Sequence, residues 1–170
     1  LFLCSSMVIL FWIGGGCSID KGQGMNAKKE YYIGTKHLPK RKYAEYTPFR
    51  VTLGISKLDE KLQEVYEKDR KNGHKHAYIA FKYFTDMEKH FAELASYLDL
   101  NTHYVVVVGA CSVSGVPFET AEFLVDMAER NGFRITNEWG YQIKNRYMRF
   151  DRKGRGGIIT IDWVLDFIKE

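Results

Sequence analysis

A run of arginines and aromatic residues near the C-terminus contains the side chains that nucleic acids attract. The stretch from Asn145 to Arg155 reads NRYMRFDRKGR, so guanidinium groups alternate with aromatic and aliphatic side chains. Arginine binds phosphate through two parallel hydrogen bonds, and Tyr or Phe can stack on an exposed base. The stretch therefore predicts a contact with nucleic acid, and the alternative is a solvated hairpin loop.

A second basic segment lies in the first third of the chain. The segment from Lys21 to Arg50 carries a formal charge of +6, and the one from Asn131 to Gly156 carries +5. The whole chain carries only +4, so the remaining residues have a charge of −7. Two basic segments separated by acidic helices favour a surface that faces a polyanion. The side chains expected to contact nucleic acid are Asn145, Arg146, Arg149, Arg152, Lys153, Arg155, Lys36, Lys40 and Arg41.

Two further groups of residues have types that occur in catalytic or metal sites. The loop GACSVSG, from Gly109 to Gly115, follows an apolar strand, which is where ligands bind in doubly wound sheets. It lacks both the G-x-G-x-x-G pattern and the basic residue of a P-loop, so a tight strand-to-helix turn is the alternative. Cys111 in this loop is predicted to be a small core residue rather than a nucleophile. His74 and His76 have no third ligand, so no metal site is predicted.

Two amphipathic helices are predicted in the middle of the chain. Ser56 is a suitable N-cap for the first, which should end at Asn72-Gly73. The second should begin near Ala77 and end near Asp99. The apolar faces are expected to consist of Leu58, Leu62, Val65 and Tyr66 in the first helix, and of Phe84, Met87, Phe91, Leu94 and Leu98 in the second.

The last third of the chain has the order strand, helix, strand, basic loop, strand. His103 to Gly109 reads HYVVVVG, and four consecutive valines predict a central parallel strand with both faces buried. A loop of small residues then leads to a helix that starts at Pro117 and ends at Asn131-Gly132. Its buried face should consist of Ala121, Leu124, Val125 and Ala128. We therefore expect a parallel βαβ unit, with the final two strands forming an antiparallel hairpin at the sheet edge.

The N-terminal region differs in composition from the rest. Residues 1–13 are almost entirely apolar, and residues 26–52 are polar, basic and rich in Tyr. The first segment is shorter than the ~20 residues of a membrane span and lacks a basic n-region. A lipoprotein-type signal ending at Cys17 and a buried helix or strand remain as alternatives. We expect residues 1–55 to form an apolar element and an irregular basic insertion, followed by an α/β region at 56–170.

The cysteines indicate the compartment of the protein, and the first residue indicates how its reading frame begins. Cys4, Cys17 and Cys111 have neither disulfide-framework nor zinc-ligand spacing, which favours a reducing, cytoplasmic setting without a membrane. The sequence begins with Leu rather than Met, and this favours a truncated or split reading frame.

Several segments, taken in order, resemble the C-terminal portion of S-adenosylmethionine-dependent DNA methyltransferases that modify the amino group of adenine (N6) or cytosine (N4). No single segment is a strong signature, but their order and spacing follow the family over most of the chain. The matching segments are FWIGG (11–15), KKEYYIGT (28–35), YFTDMEKHFAEL (83–94), HYVVVVGACSVSGVPFETAEFLVDMAERNGF (103–133) and IKNRYMRFDRKGRGGIITIDWVLDFIK (143–169).

The resemblance implies an α/β fold of a particular kind. It is the closing half of a Rossmann-like methyltransferase sheet with an antiparallel last strand, preceded by helices and the basic insertion. It also implies DNA as partner, S-adenosylmethionine as cofactor of the complete enzyme, and a target base rotated out of the duplex.

The family's catalytic and cofactor motifs are not in this sequence. There is no D/N/S-P-P-Y/F tetrapeptide and no D-P-F-x-G-S-G-T-like segment. No catalytic or cofactor-binding residue is therefore carried over, and an upstream-encoded methyltransferase half is an expected partner. The alternatives are a catalytically silent nucleic-acid-binding protein and a decayed gene remnant.

Overall fold

A computed structural model describes residues 33–143 and 161–170 of the chain. This part is a mixed α/β structure in which helices precede a small antiparallel sheet. The helices are α1 (Lys40–Tyr43), α2 (Ser56–Lys68), α3 (Gly73–Tyr97) and α4 (Thr120–Arg130). The strands are β1 (His103–Gly109), β2 (Cys111–Val113), β3 (Val116–Phe118), β4 (Phe133–Gln142) and β5 (Ile161–Lys169).

Helix α2 has the predicted apolar face but a different N-terminal cap. Leu58, Leu62 and Val65 are fully buried. The predicted N-cap, Ser56, is instead the first helical residue, and Ile55 holds the cap position. The carboxylate of Asp59 accepts hydrogen bonds from the Leu53 amide (2.9 Å) and the Thr52 hydroxyl, which ties the incoming chain to the first turn.

Helix α3 begins four residues earlier than predicted, at Gly73 rather than Ala77. The sequence pattern instead predicts Asn72-Gly73 as the end of the preceding helix. A Cβ atom at position 73 would lie 2.2 Å from the Tyr66 carbonyl oxygen, so glycine allows the start of α3 to approach the end of α2. The predicted stripe is otherwise present, with Phe84, Met87 and Phe91 buried.

Strand β1 is antiparallel, and the prediction of a central parallel strand with two buried faces is wrong. In the three-stranded sheet, with the order β1-β5-β4, β1 pairs with β5 from His103↔Ile168 to Gly109↔Asp162. Val106 and Val108 are buried, whereas Val105 is 50% exposed. The helices cover one face of the sheet, and the described residues supply no layer for the other.

The loop predicted after β1 is a β-hairpin, and Pro117 does not start a helix. β2 and β3 pair from Cys111↔Phe118 to Val113↔Val116, and Pro117 lies within β3. Ser114 and Gly115 form the turn with φ values of 51° and 78°, which are the positive values that two-residue hairpin turns use. Helix α4 then begins at Thr120 and ends as predicted at Asn131-Gly132, where Gly132 has a φ of 80°.

The final two strands pair in antiparallel fashion, as predicted. β4 pairs with β5 from Phe133↔Lys169 to Gln142↔Ile161, with a register shift between Ile135 and Asn137. β5 lies between β1 and β4, so the last strand is the middle one of this sheet. The predicted parallel βαβ unit is present in its strand directions, because β1 and β4 both oppose β5 and therefore run the same way, but β5 lies between the two strands and they do not pair directly.

One hydrophobic core joins these elements. It consists of the inner sides of α2, α3 and α4, the hairpin and one face of the sheet. Residues before α2 also contribute, since the Tyr46 ring lies 5.3 Å from Tyr78 and 5.1 Å from Phe81. The described part of the predicted basic insertion thus packs on the same core as the helices.

Candidate nucleic-acid interface

The short helix α1 presents three consecutive basic residues to solvent. Pro39 precedes it with a φ of −66°, and the Ala44 amide donates to the Lys40 carbonyl at 3.0 Å. Lys40, Arg41 and Lys42 are all exposed. Their charges therefore project outward from one turn of regular backbone.

Contacts through Tyr43 hold α1 against the beginning of α3. The Tyr43 and His74 rings are 5.5 Å apart, and the Lys75 ammonium nitrogen lies 5.9 Å from the centre of the Tyr43 ring. The second distance is within the range at which a cation is attracted to an aromatic face. These contacts bring Lys75 next to the three basic residues of α1.

The turn between α2 and α3 adds two more exposed cations, Arg70 and Lys71. We define the basic surface as Lys40, Arg41, Lys42, Arg70, Lys71 and Lys75. The segments that contain these residues, 36–45 and 67–76, hold eight Lys or Arg and three acidic residues, a formal charge of +5. A cluster of this kind matches the charge of a phosphate backbone.

Asp69, the acidic residue inside this turn, is occupied by internal hydrogen bonds. Its carboxylate accepts from the backbone amides of Asn72 (2.9 Å) and Lys71 (3.2 Å) and lies 3.1 Å from Nδ1 of His76. The hydrogen bond from Asn72 is the main reason that the pKa of Asp69 lies below its ordinary value. The carboxylate therefore fixes the shape of the turn that carries Arg70 and Lys71.

His76 connects the same turn to the β2–β3 hairpin. Its Nδ1 atom is 2.9 Å from the Ser114 hydroxyl and 3.1 Å from the Asp69 carboxylate. Burial lowers its pKa, against the attraction of Asp69. A Ser-His-Asp relay requires one ring nitrogen for each partner, whereas both partners here meet the same nitrogen. The arrangement is a structural junction, to which Lys68 adds a hydrogen bond to the Gly115 carbonyl at 3.1 Å.

The residues predicted to bind nucleic acid fall into two groups. Lys36, Lys40 and Arg41 lie on the surface, the last two within the basic surface. The other six, Asn145, Arg146, Arg149, Arg152, Lys153 and Arg155, lie outside the described residues. Sequence reasoning missed Lys42, Arg70, Lys71 and Lys75, although the runs KRKY and KDRKNGHKH contained a signal. Nothing in the sequence linked the second run to residues 40–42.

The loop with Cys111 and the pair His74/His76 show no arrangement for catalysis or metal binding within the described residues. The Cys111 sulfur is 3.3 Å from the Thr120 hydroxyl, and the side chain packs against the core. Within the described ranges, no group of three or more His, Cys, Asp or Glu side chains is arranged to hold a metal ion.

Comparisons with known proteins add no relatives. Neither the models of protein families nor the curated proteins nor the solved structures gave a match to this chain. In the part of the chain that the structure describes, none of the helices has the length and apolar character needed to cross a membrane.

Proposed function

We propose that this chain is the C-terminal part of a DNA methyltransferase and that its basic surface binds the DNA backbone. The direction and position of the last strand support the assignment to a methyltransferase. The resemblance implies a Rossmann-like sheet that ends in an antiparallel strand, and β5 runs antiparallel to both of its neighbours.

The direction of the flanking strands supports the same proposal. Because β1 and β4 both oppose β5, they run in the same direction, and α4 connects them. A strand, a helix and a second strand of the same direction are the components of an α/β sheet. The last strand would be inserted between the two.

In this proposal, this chain positions the DNA, and another polypeptide binds the cofactor. S-adenosylmethionine would supply the methyl group, and polypeptide beyond this sequence would hold it, because the family's cofactor and catalytic motifs are not in this sequence. The target amino group is unreachable inside the base stack, so such enzymes act on a base that has left the duplex. Contacts with phosphates hold the duplex in register and carry no sequence information. The six cations of the basic surface would have this positioning role.

A pair of matched double variants tests the role of the basic surface. Lys40→Ala/Arg41→Ala removes two of its charges, and Lys57→Ala/Lys89→Ala removes two lysines elsewhere on α2 and α3. Lys89 lies sixteen residues into α3, about 24 Å along the helix from its beginning. Both double variants change the net charge equally, so a difference between them reports position rather than total charge.

The affinity of the full chain for duplex DNA is to be measured as a function of salt. Each phosphate contact that is lost lowers the slope of log affinity against log salt by about 0.9. We expect the slope to decrease by about 1 to 2 for Lys40→Ala/Arg41→Ala and to stay unchanged for the control. Equal slopes for both variants would contradict the assignment of this surface.

A catalytically silent nucleic-acid-binding protein is the second candidate, and the basic surface also favours it. It predicts the same salt dependence for DNA binding. The two candidates differ in methyl transfer after the upstream-encoded polypeptide is added, which only the first predicts.

A further inference from the structure

The three-stranded sheet has one face that the described residues leave uncovered. Side chains alternate between the faces of a strand, so the pairing register assigns each residue to a side. Val106, Val108, Leu165 and Phe167 point towards the helices and are at most 3% exposed. Their neighbours along the strands therefore lie on the opposite side.

That opposite side contains six apolar side chains. Val107 pairs with Val164, which pairs with Trp139, and these three side chains form a row across the sheet. Val105 and Trp139 are each 50% exposed and Tyr141 is 60% exposed. We call this surface the open face and define it as Val105, Val107, Trp139, Tyr141, Val164 and Ile168.

Five polar residues lie on the same side, namely His103, Arg134, Asn137, Asp162 and Asp166. Arg134 forms an ion pair with Glu170. Asp166 pairs with Val105 and Asn137, and its carboxylate lies 2.9 Å from His103 Nδ1 and 3.4 Å from the Asn137 amide nitrogen. A polar group that already has hydrogen-bond partners can be buried at a much lower cost than one without. Contiguous apolar surface that spans neighbouring strands commonly marks a contact site.

We propose that residues 1–13 of this chain cover the open face. This segment reads LFLCSSMVILFWI and contains no charged residue, so its ten apolar side chains other than Cys4 need a partner of the same character. It is chemically complementary to a face made of valines, an isoleucine and two aromatic rings. The inference does not depend on the proposed function.

The dimensions of the segment and of the open face agree. Three strands ~4.8 Å apart present a face about 10 Å wide, and the seven residues of β1 extend for about 23 Å. Thirteen residues extend for about 20 Å as a helix of about 10 Å diameter, or for more than 40 Å as a strand. The helical form matches the face in both length and width.

The rest of the N-terminal region is long enough to reach the sheet. Nineteen residues separate Ile13 from Ile33, where the described part begins with a side chain packed on the core. An extended chain of that length reaches about 60 Å, which is larger than a domain of this size. No position on the open face is therefore out of reach.

Photo-crosslinking in the full chain tests the proposal. Benzoylphenylalanine is to replace Trp139 in one variant and Tyr141 in another, so that the result does not depend on one substitution. The dilute protein is irradiated, digested and analysed by mass spectrometry after circular dichroism has verified the parental fold. We expect the main product at each position to be an intrachain crosslink to a peptide from residues 1–13.

Tyr97 supplies the matched control, because it is also aromatic and is 80% exposed at the end of α3. Benzoylphenylalanine at position 97 should crosslink to residues 1–13 with a several-fold lower yield. Crosslinks from positions 139 and 141 that join two copies of the chain would overturn the proposal, as would crosslinks to other segments. Yields equal to that of the control would also overturn it.

Discussion

The two faces of the sheet differ in a way that the valine run of β1 does not reveal. On the face towards the helices, Val106 and Val108 are almost fully buried, whereas Val105 on the other face is half exposed. All four valines have the same side chain and the same backbone conformation. The difference arises from the layer that lies against each face, since helices α3 and α4 pack on one face. Burial is thus a property of the assembled layers, and strand propensity alone does not predict it.

The largest expected loss of stability comes from a substitution in the core between α3 and the sheet. Phe91 is fully buried, and its ring lies 5.8 Å from Phe167 and 6.0 Å from Phe133, both of which belong to the helix-covered face. Phe91→Ala should lower the free energy of unfolding by about 3 to 5 kcal/mol, because it removes the aromatic contacts and leaves a cavity. Urea denaturation of the full chain measures this change.

Tyr97→Ala is the control on the same helix. Tyr97 is 80% exposed, so its substitution should change the free energy of unfolding by no more than about 0.5 kcal/mol. Similar losses for the two variants would contradict the assignment of α3 as the helix that covers the sheet.

Acidification should affect the helix-covered side first. His90 on α3 lies 2.8 Å from the Tyr104 hydroxyl, and burial lowers the pKa of His90 and raises that of Tyr104 to about 12. The unfolded chain therefore binds a proton near pH 6.5, where folded His90 is still neutral. Stability is complete above this pH and decreases as the pH falls through the folded pKa, by at most about 1.4 kcal/mol per pH unit for one proton.

The variant His90→Gln isolates this contribution. It removes the titrating group, so the loss of stability between pH 7 and pH 5 should become smaller in thermal or urea denaturation. His76, whose pKa burial also lowers, retains its own dependence in the variant. An unchanged pH profile would indicate that His90 protonates equally well in the folded protein.

The open face should respond only at lower pH, and this is the smallest expected effect. The hydrogen bond from His103 lowers the pKa of Asp166 below its ordinary value of 3.8. Asp166 therefore contributes stability that is present above about pH 4 and is lost as the pH falls through the folded pKa. Asp166→Asn should remove this step below about pH 4, as measured by urea denaturation at a series of pH values. Persistence of the step in the variant would contradict its assignment to Asp166.

Much of the fold was predictable because the apolar periodicity reflects the packing directly. The buried faces of α2 and α3 and the antiparallel pairing of the last two strands have such patterns. Trp139 shows where periodicity fails. It follows Ile135 by four residues, so a regular strand would place both side chains on one face, but the register shift between Ile135 and Asn137 moves Trp139 to the open face.

Two predictions from local residue types were wrong, one at the start of α3 and one at the β2–β3 hairpin. The sequence pattern predicts Gly73 as a helix terminator, yet Gly73 begins α3, and the Tyr66 carbonyl beside it leaves no room for a Cβ atom. Ser114-Gly115 is compatible with a loop as well as with a hairpin turn, and pairing between β2 and β3 decides between them. Of the six residues of the basic surface, only Lys40 and Arg41 were predicted from charge density. Arg70, Lys71 and Lys75 are linked to them through the contact between Tyr43 and His74, which joins residues thirty-one positions apart.

Methyl transfer to DNA is the measurement that tests the proposed function most directly. The full chain, the polypeptide encoded immediately upstream and their mixture are each incubated with S-adenosylmethionine and duplex DNA, and methylated adenine and cytosine are quantified by mass spectrometry. We predict a methylated amino group with the mixture, none with this chain alone, and no tight binding of S-adenosylmethionine to this chain in calorimetry. An inactive mixture, or tight stoichiometric binding of the cofactor to this chain alone, would contradict the account.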